Sequence, residues 1–121
     1  MRNDTIAFFL ISFCFLINVP TVAGADATYL IRGAGAASCG TWISERPLQS
    51  SPLRAMDESW VLGFLTGVNA MRLAVGNSQI GLTTDANGLL AWVDNYCRAN
   101  PLKSISDTAL ALATELSATG K

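Results

Sequence analysis

Three cysteines constrain this chain more than any other feature, because one of them lies in a segment that we expect to be removed. Cys14 sits inside the apolar run of residues 6–19, which is followed by a small-residue A-x-A site ending at Ala25. Such a segment is typical of a secretory signal peptide. Cleavage would leave two cysteines, Cys39 and Cys97, and an even number in a small exported domain predicts a disulfide between them.

An uncleaved membrane anchor is the alternative for residues 1–25. The apolar run is interrupted by Ser12 and Asn18 and is shorter than the ~20 residues of a spanning helix. We therefore expect a cleaved signal, a periplasmic location and no membrane contact by the mature chain. Residues 26–37 are expected to form a flexible arm, and residues 38–118 a single helical domain.

The composition excludes several classes of protein. The chain contains no histidine, which removes the commonest general base and metal ligand. No G-x-S-x-G or S-x-x-K motif is present, and bridged cysteines do not hold zinc. A net charge of −1 offers no basic surface for nucleic acid. We expect a protein that is not an enzyme, with no catalytic residues, no cofactor and no metal.

Local signals predict four helices and no strand alternation of any length. The first, short helix runs from Cys39 to about Arg46, the second begins at Pro52 and stops at Gly76, the third ends near residue 99, and the last opens at Pro101. Their expected N-caps are Ser38, Ser51, Thr84 or Asp85, and Asn100. The predicted fold class is all-α, a small disulfide-stapled bundle of three main helices plus one short N-terminal helix.

Apolar residues at steps of three and four predict which helix faces form the core. On the second helix they are Leu53, Met56, Trp60, Phe64, Gly67 and Met71, widened by Leu65, Val68 and Val75. On the third they are Leu89, Trp92, Val93, Tyr96 and Cys97, and on the last Leu102, Ile105, Ala109, Leu112 and Leu116. The pair Gly63 and Gly67 predicts that another backbone packs closely against the second helix.

Some of these apolar residues are also candidates for a binding face. A large apolar side chain in a short domain serves either as core or as an anchor for a partner, and core is the default. The candidate binding or core face comprises Trp60, Phe64, Gly67, Met71 and Trp92.

Three segments together resemble the HdeA/HdeB family. They are Ser38-Cys39 at the start of a short helix, the Gly-containing stretch of residues 60–67, and residues 93–101, which read Val-Asp-Asn-Tyr-Cys-Arg-Ala-Asn-Pro. That family consists of small periplasmic helical proteins with one disulfide, and its best-known members are acid-stress chaperones. The resemblance implies a homodimer at neutral pH that opens in acid and holds denatured clients. The chain is also similar to the Tai-type family of periplasmic immunity proteins.

Three functions follow as expectations. The first is an acid-activated stress protein that holds unfolded clients, the second is a binding or immunity module that recognises one folded protein, and the third is a small structural protein. Without histidine, an acid response would depend on carboxylates, whose ordinary pKa values lie near ~4. The candidate acid-sensing residues are Asp57, Glu58, Asp85, Asp94, Asp107 and Glu115.

Overall fold

The computed structural model describes residues 29–120 and has the predicted all-α architecture. A 3-10 helix, Gly33–Ala36, precedes four α-helices: α1 (Cys39–Glu45), α2 (Pro52–Ala74), α3 (Ala86–Ala99) and α4 (Ile105–Thr119). The expected signal peptide, residues 1–25, and the first residues of the expected arm lie outside the described range. Between residues 29 and 120, no helix combines the length and the apolar character that a bilayer crossing requires.

Three of the predicted helix starts are confirmed by their capping hydrogen bonds. The Ser38 side chain accepts from the backbone N–H of Thr41 at 3.1 Å, and the Ser51 side chain accepts from that of Arg54 at 3.3 Å. Asp85, one of the two alternatives for α3, accepts from the N–H of Gly88 at 2.8 Å. These caps satisfy N–H groups that a first helical turn leaves without a partner.

The predicted start of the last helix is wrong. Helix α4 begins at Ile105, with Ser104 as its N-cap in a reciprocal capping box with Asp107. Asn100 instead ends α3. The segment between Asn100 and Ser104 provides hydrogen-bond acceptors for the start of α1. The N–H groups of Cys39 and Gly40 donate to the carbonyls of Lys103 and Pro101 at 2.8 and 3.0 Å. A helix begun at Pro101 would withdraw these acceptors.

Helix α4 lies at the centre of the domain and contacts α1, α2, α3 and the 3-10 helix. Its predicted stripe is buried at Ile105, Ala109, Leu112 and Leu116. Leu102 was expected to belong to this stripe but is 97% exposed, because it lies in the turn before the helix.

The predicted disulfide between Cys39 and Cys97 is confirmed. It joins the first residue of α1 to the last turn of α3, and both cysteines are fully buried. The Thr108 hydroxyl of α4 lies 3.2 Å from the Cys39 sulfur, so three helices meet at the bridge.

The predicted core face of α2 is confirmed only in part, because the helix is rotated from the predicted orientation. Leu65 is buried, and Trp60, Phe64 and Val68 are partly buried against the core. The buried residues of α2 are Asp57, Val61 and Leu65, whereas Met56 and Met71 are more than half exposed. Helix α4 packs against α2, and the fully buried α2 side chain in the core is Val61. The inward line of α2, formed by Asp57, Val61 and Leu65, contains an acidic residue. For that reason it does not stand out as apolar in the sequence.

The close backbone approach expected at Gly63 and Gly67 occurs elsewhere. No atom from the rest of the described chain lies within 4 Å of the Cβ position at either glycine. At Gly35 an added Cβ would collide with the indole ring of Trp60. The Trp60 indole N–H also donates to the carbonyl of Arg32 at 2.7 Å. Residues 33–37 are therefore not part of a free arm, since they pack on α2.

The glycines provide a direct test of this packing. Gly63→Ala and Gly67→Ala should each raise the free energy of unfolding by about 0.5–1 kcal/mol, because alanine favours the helix and meets no neighbour. Gly35→Ala should lower it by about 1–3 kcal/mol through collision with Trp60. Urea denaturation of the three variants measures the difference. Destabilisation at Gly63 or Gly67 in the monomer would show that their Cβ positions are not open.

The disulfide should dominate the stability of this small domain. It spans 58 residues of sequence, and the loop-entropy model gives such a bridge roughly 4 kcal/mol. We expect a Cys39→Ser, Cys97→Ser double variant to lose about that much in urea denaturation. Unreduced wild type is the control, and a variant of unchanged stability would contradict the expectation.

Candidate functional site

One flank of α2 presents exposed apolar side chains at both ends and two partly buried aromatic rings between them. It consists of the six residues that were expected to form the core face, here named the α2 stripe: Leu53, Met56, Trp60, Phe64, Gly67 and Met71. Leu53, Met56 and Met71 are 52%, 56% and 66% exposed. Because the helix rises 1.5 Å per residue, the stripe extends about 27 Å along its axis.

The α2 stripe carries no charge. The charged side chains of α2 turn toward the rest of the domain: Arg54 pairs with Glu58 at 2.8 Å, Asp57 is buried, and Arg72 donates to the carbonyl of Ser78 at 2.6 Å. An exposed, uncharged apolar flank of this extent is typical of a surface that contacts another polypeptide.

The two aromatic residues of the stripe form its most rigid part. Trp60 and Phe64 are partly buried and stack with ring centroids 5.6 Å apart. The 3-10 helix packs against the indole ring of Trp60 at Gly35. Beside this pair, the open positions at Gly63 and Gly67 leave the helix backbone accessible.

Trp92, the fifth candidate for the binding or core face, does not join the stripe. It lies on α3, stacks on Tyr96 at 5.2 Å and donates its indole N–H to Glu115 of α4 at 3.0 Å. It lines a separate open cavity of about 410 Å³ with Leu89 and Leu112.

The C-terminal end of α2 is fixed by an amide clamp that we did not predict from the sequence. The Asn69 side chain donates to the carbonyl of Ile80 at 3.0 Å and accepts from its N–H at 2.8 Å. Ile80 is buried as a result, although it lies in a loop. The sequence signal for this contact is slight, because Ile80 lies in a loop and belongs to no helical repeat of apolar residues.

A second feature, the Arg46 junction, ties three helices together by charge. The Arg46 guanidinium at the end of α1 pairs with Glu58 of α2 and with both carboxylate oxygens of Asp94 of α3, at 2.7 and 2.9 Å. The Trp42 indole donates to the same Asp94 at 2.7 Å, and its ring lies 5.4 Å below Arg46. These side chains are less than one-quarter exposed.

The junction brings together two of the six candidate acid-sensing residues, Glu58 and Asp94. Three others lie apart from it in separate contacts. Asp85 and Asp107 cap α3 and α4, and Glu115 accepts from Trp92. We did not single out Arg46 itself, although a basic residue at the end of a helix before proline is a recognisable C-terminal signal.

Asp57 differs from the other candidates because it is buried without a partner. It is 5% exposed, and its Oδ2 atom has no hydrogen-bond partner among the described residues. Burial raises the pKa of the Asp57 carboxyl above its ordinary value of 3.8, and the negative charges of Glu45 and Glu58 raise it further. Protonation of Asp57 therefore removes an unfavourable buried charge from α2.

Comparison with known proteins gives no relative of this chain: no family model, no curated protein and no solved structure matches it. The HdeA/HdeB resemblance therefore stays a prediction from the sequence. Residues 29–120 also contain no group of three or more acidic, cysteine or histidine side chains arranged to hold a metal ion.

The Arg46 junction should contribute to the stability of the domain. Arg46→Met should lower the free energy of unfolding at pH 7 by about 1–3 kcal/mol, since it leaves the partly buried Glu58 and Asp94 without their charged donor. Arg98→Met is the control, because Arg98 is exposed and within residues 29–120 its side chain bonds only that of Asn95. Urea denaturation measures both variants, and equal losses for Arg46→Met and Arg98→Met would contradict a stabilising role of the junction.

Proposed function

We propose that this protein is an HdeA-like periplasmic stress protein that holds unfolded client proteins, and that it holds them on the α2 stripe. The observation that carries the proposal is the uncharged, exposed apolar flank of α2 in an otherwise folded and disulfide-bonded domain. The three-segment resemblance described above supports the choice of clients over other ligands.

The chemistry of the stripe suits unfolded polypeptides. Apolar segments of a denatured client gain roughly 25 cal/mol for each Å² that they remove from water, without requiring a particular sequence. Methionine side chains at both ends of the stripe adapt to different partners, since they are unbranched and polarisable. The open glycines give an extended segment room to approach the helix.

Acid would act on this domain through its charges. Protonation of the acidic side chains would leave the seven Lys and Arg charges that follow residue 25 unbalanced, and like charges oppose a compact state. The disulfide would still join α1 to α3, so opening would be limited and would widen the apolar surface around the stripe.

A binding or immunity module for one folded partner is the second candidate. The observation that favours it is that the stripe is already exposed in the folded domain, at the side of a 23-residue helix. A rigid helix flank needs no unfolding to dock on a complementary groove.

The stripe can be tested by placing lysines on it and, as a control, on the opposite flank of the same helix. Met56→Lys with Met71→Lys places two charges on the stripe, whereas Leu73→Lys places one on the opposite flank of α2 at a side chain that is 56% exposed. We expect the double variant to lose at least tenfold in suppression of client aggregation while keeping the wild-type urea midpoint. Leu73→Lys should keep both.

The pH dependence of the same assay separates the two candidates. A stress protein that depends on carboxylates should suppress aggregation at about pH 4 or below and not between pH 5 and 7. Full suppression at pH 7, or none at pH 2, would contradict acid activation and favour the fixed-partner module. Equal activity of the double variant and Leu73→Lys would exclude the α2 stripe as the binding surface.

A further inference from the structure

Asp57 occupies a position that is costly for a negative charge. It is on the inward line of α2 with Val61 and Leu65, and only 5% of its surface is exposed. Its Oδ2 atom meets no donor among the described residues. A carboxylate oxygen that is buried without a hydrogen-bond donor loses its hydration without compensation.

The positive charges near Asp57 are committed to other acids. Arg46 from α1 pairs with Glu58 and with Asp94 of α3, and Arg54 pairs with Glu58 and donates to the Arg46 carbonyl at 3.2 Å. Neither guanidinium forms an ion pair with Asp57 in the described chain. Two neighbouring negative charges instead repel the Asp57 carboxylate: Glu45 at the end of α1 and Glu58, the next residue of α2.

The other elements packed on α2 bring no compensating charge. The segment before the 3-10 helix carries Arg32, which contacts α2 through its backbone carbonyl and forms no salt bridge within residues 29–120. On α4, Asp107 is bonded in its capping box and Glu115 to Trp92.

We propose that Asp57 is a proton-binding site of the folded domain, which takes up a proton in mild acid and thereby strengthens the corner between α1 and α2. Asp57 would bind its proton whatever the α2 stripe holds, so its test is independent of the proposed function.

The sign of the effect follows from proton linkage. The pKa of Asp57 is raised in the folded state, whereas in the unfolded chain it returns to about 3.8. Between these two values the folded chain carries more protons than the unfolded chain, so the free energy of unfolding rises as the pH falls. The destabilisation by charged Asp57 is complete above the folded-state pKa and absent below 3.8.

Asp57→Asn tests the proposal, because asparagine has nearly the same shape and cannot ionise. At pH 7 the variant should unfold at a higher urea concentration than the wild type. For every unit by which the folded-state pKa exceeds 3.8, its ratio of folded to unfolded protein should rise tenfold. The advantage should disappear below 3.8. Asp85→Asn, at an exposed N-cap, is the control and should show no gain at pH 7.

A measurement on the wild type makes the test independent of any variant's folding. Carbon-13 NMR of the Asp57 carboxyl, titrated from pH 2 to pH 8, should give a midpoint above 3.8. A midpoint at or below that value would overturn the proposal. An Asp57→Asn variant that is destabilised equally at pH 3 and pH 7 would overturn it as well, because that result assigns Asp57 a structural role independent of its charge.

Discussion

The buried bridge between Cys39 and Cys97 is the contact on which the other features depend. Helix α1 has seven residues, too few to be stable by itself in water. The disulfide fixes it on α3, and the carbonyls before α4 satisfy its first N–H groups. Only with α1 held there can Trp42 and Arg46 reach Asp94 across the domain. The Arg46 junction therefore depends on the disulfide.

Local chemistry explains which parts of the fold could be predicted from the sequence. Ser38, Ser51 and Asp85 cap helices through side chains that act within three residues, so a short window of sequence contains the whole signal. The start of α4 was not predicted correctly, because the choice between Asn100 and Ser104 depends on α1. The acceptors that α1 requires lie 60 residues or more away in sequence, at Pro101 and Lys103.

The rotation of α2 shows why the candidate site was only partly predicted. Helix α2 is apolar on two flanks, and the pattern of large residues favoured the flank with Trp60 and Phe64 as core. The structure buries the flank that contains Asp57. The residues of the α2 stripe were identified from the sequence. Their exposure could not be, because it depends on where the 3-10 helix and α4 pack. The packing of Gly35 against Trp60 could not be predicted either, since nothing in residues 26–37 indicates that an indole ring packs there.

The two ends of α2 are held by different kinds of contact. Its N-terminal part is held by the ion pairs of Glu58 with Arg46 and Arg54, beside the buried and unpaired Asp57. Its C-terminal part is held by the amide of Asn69 and by Arg72, both of which bond to the backbone of the following loop. Proton uptake by Asp57, as proposed above, would therefore act at the end of the α2 stripe that carries Leu53 and Met56. The end that carries Met71 is fixed by contacts in which no carboxylate takes part.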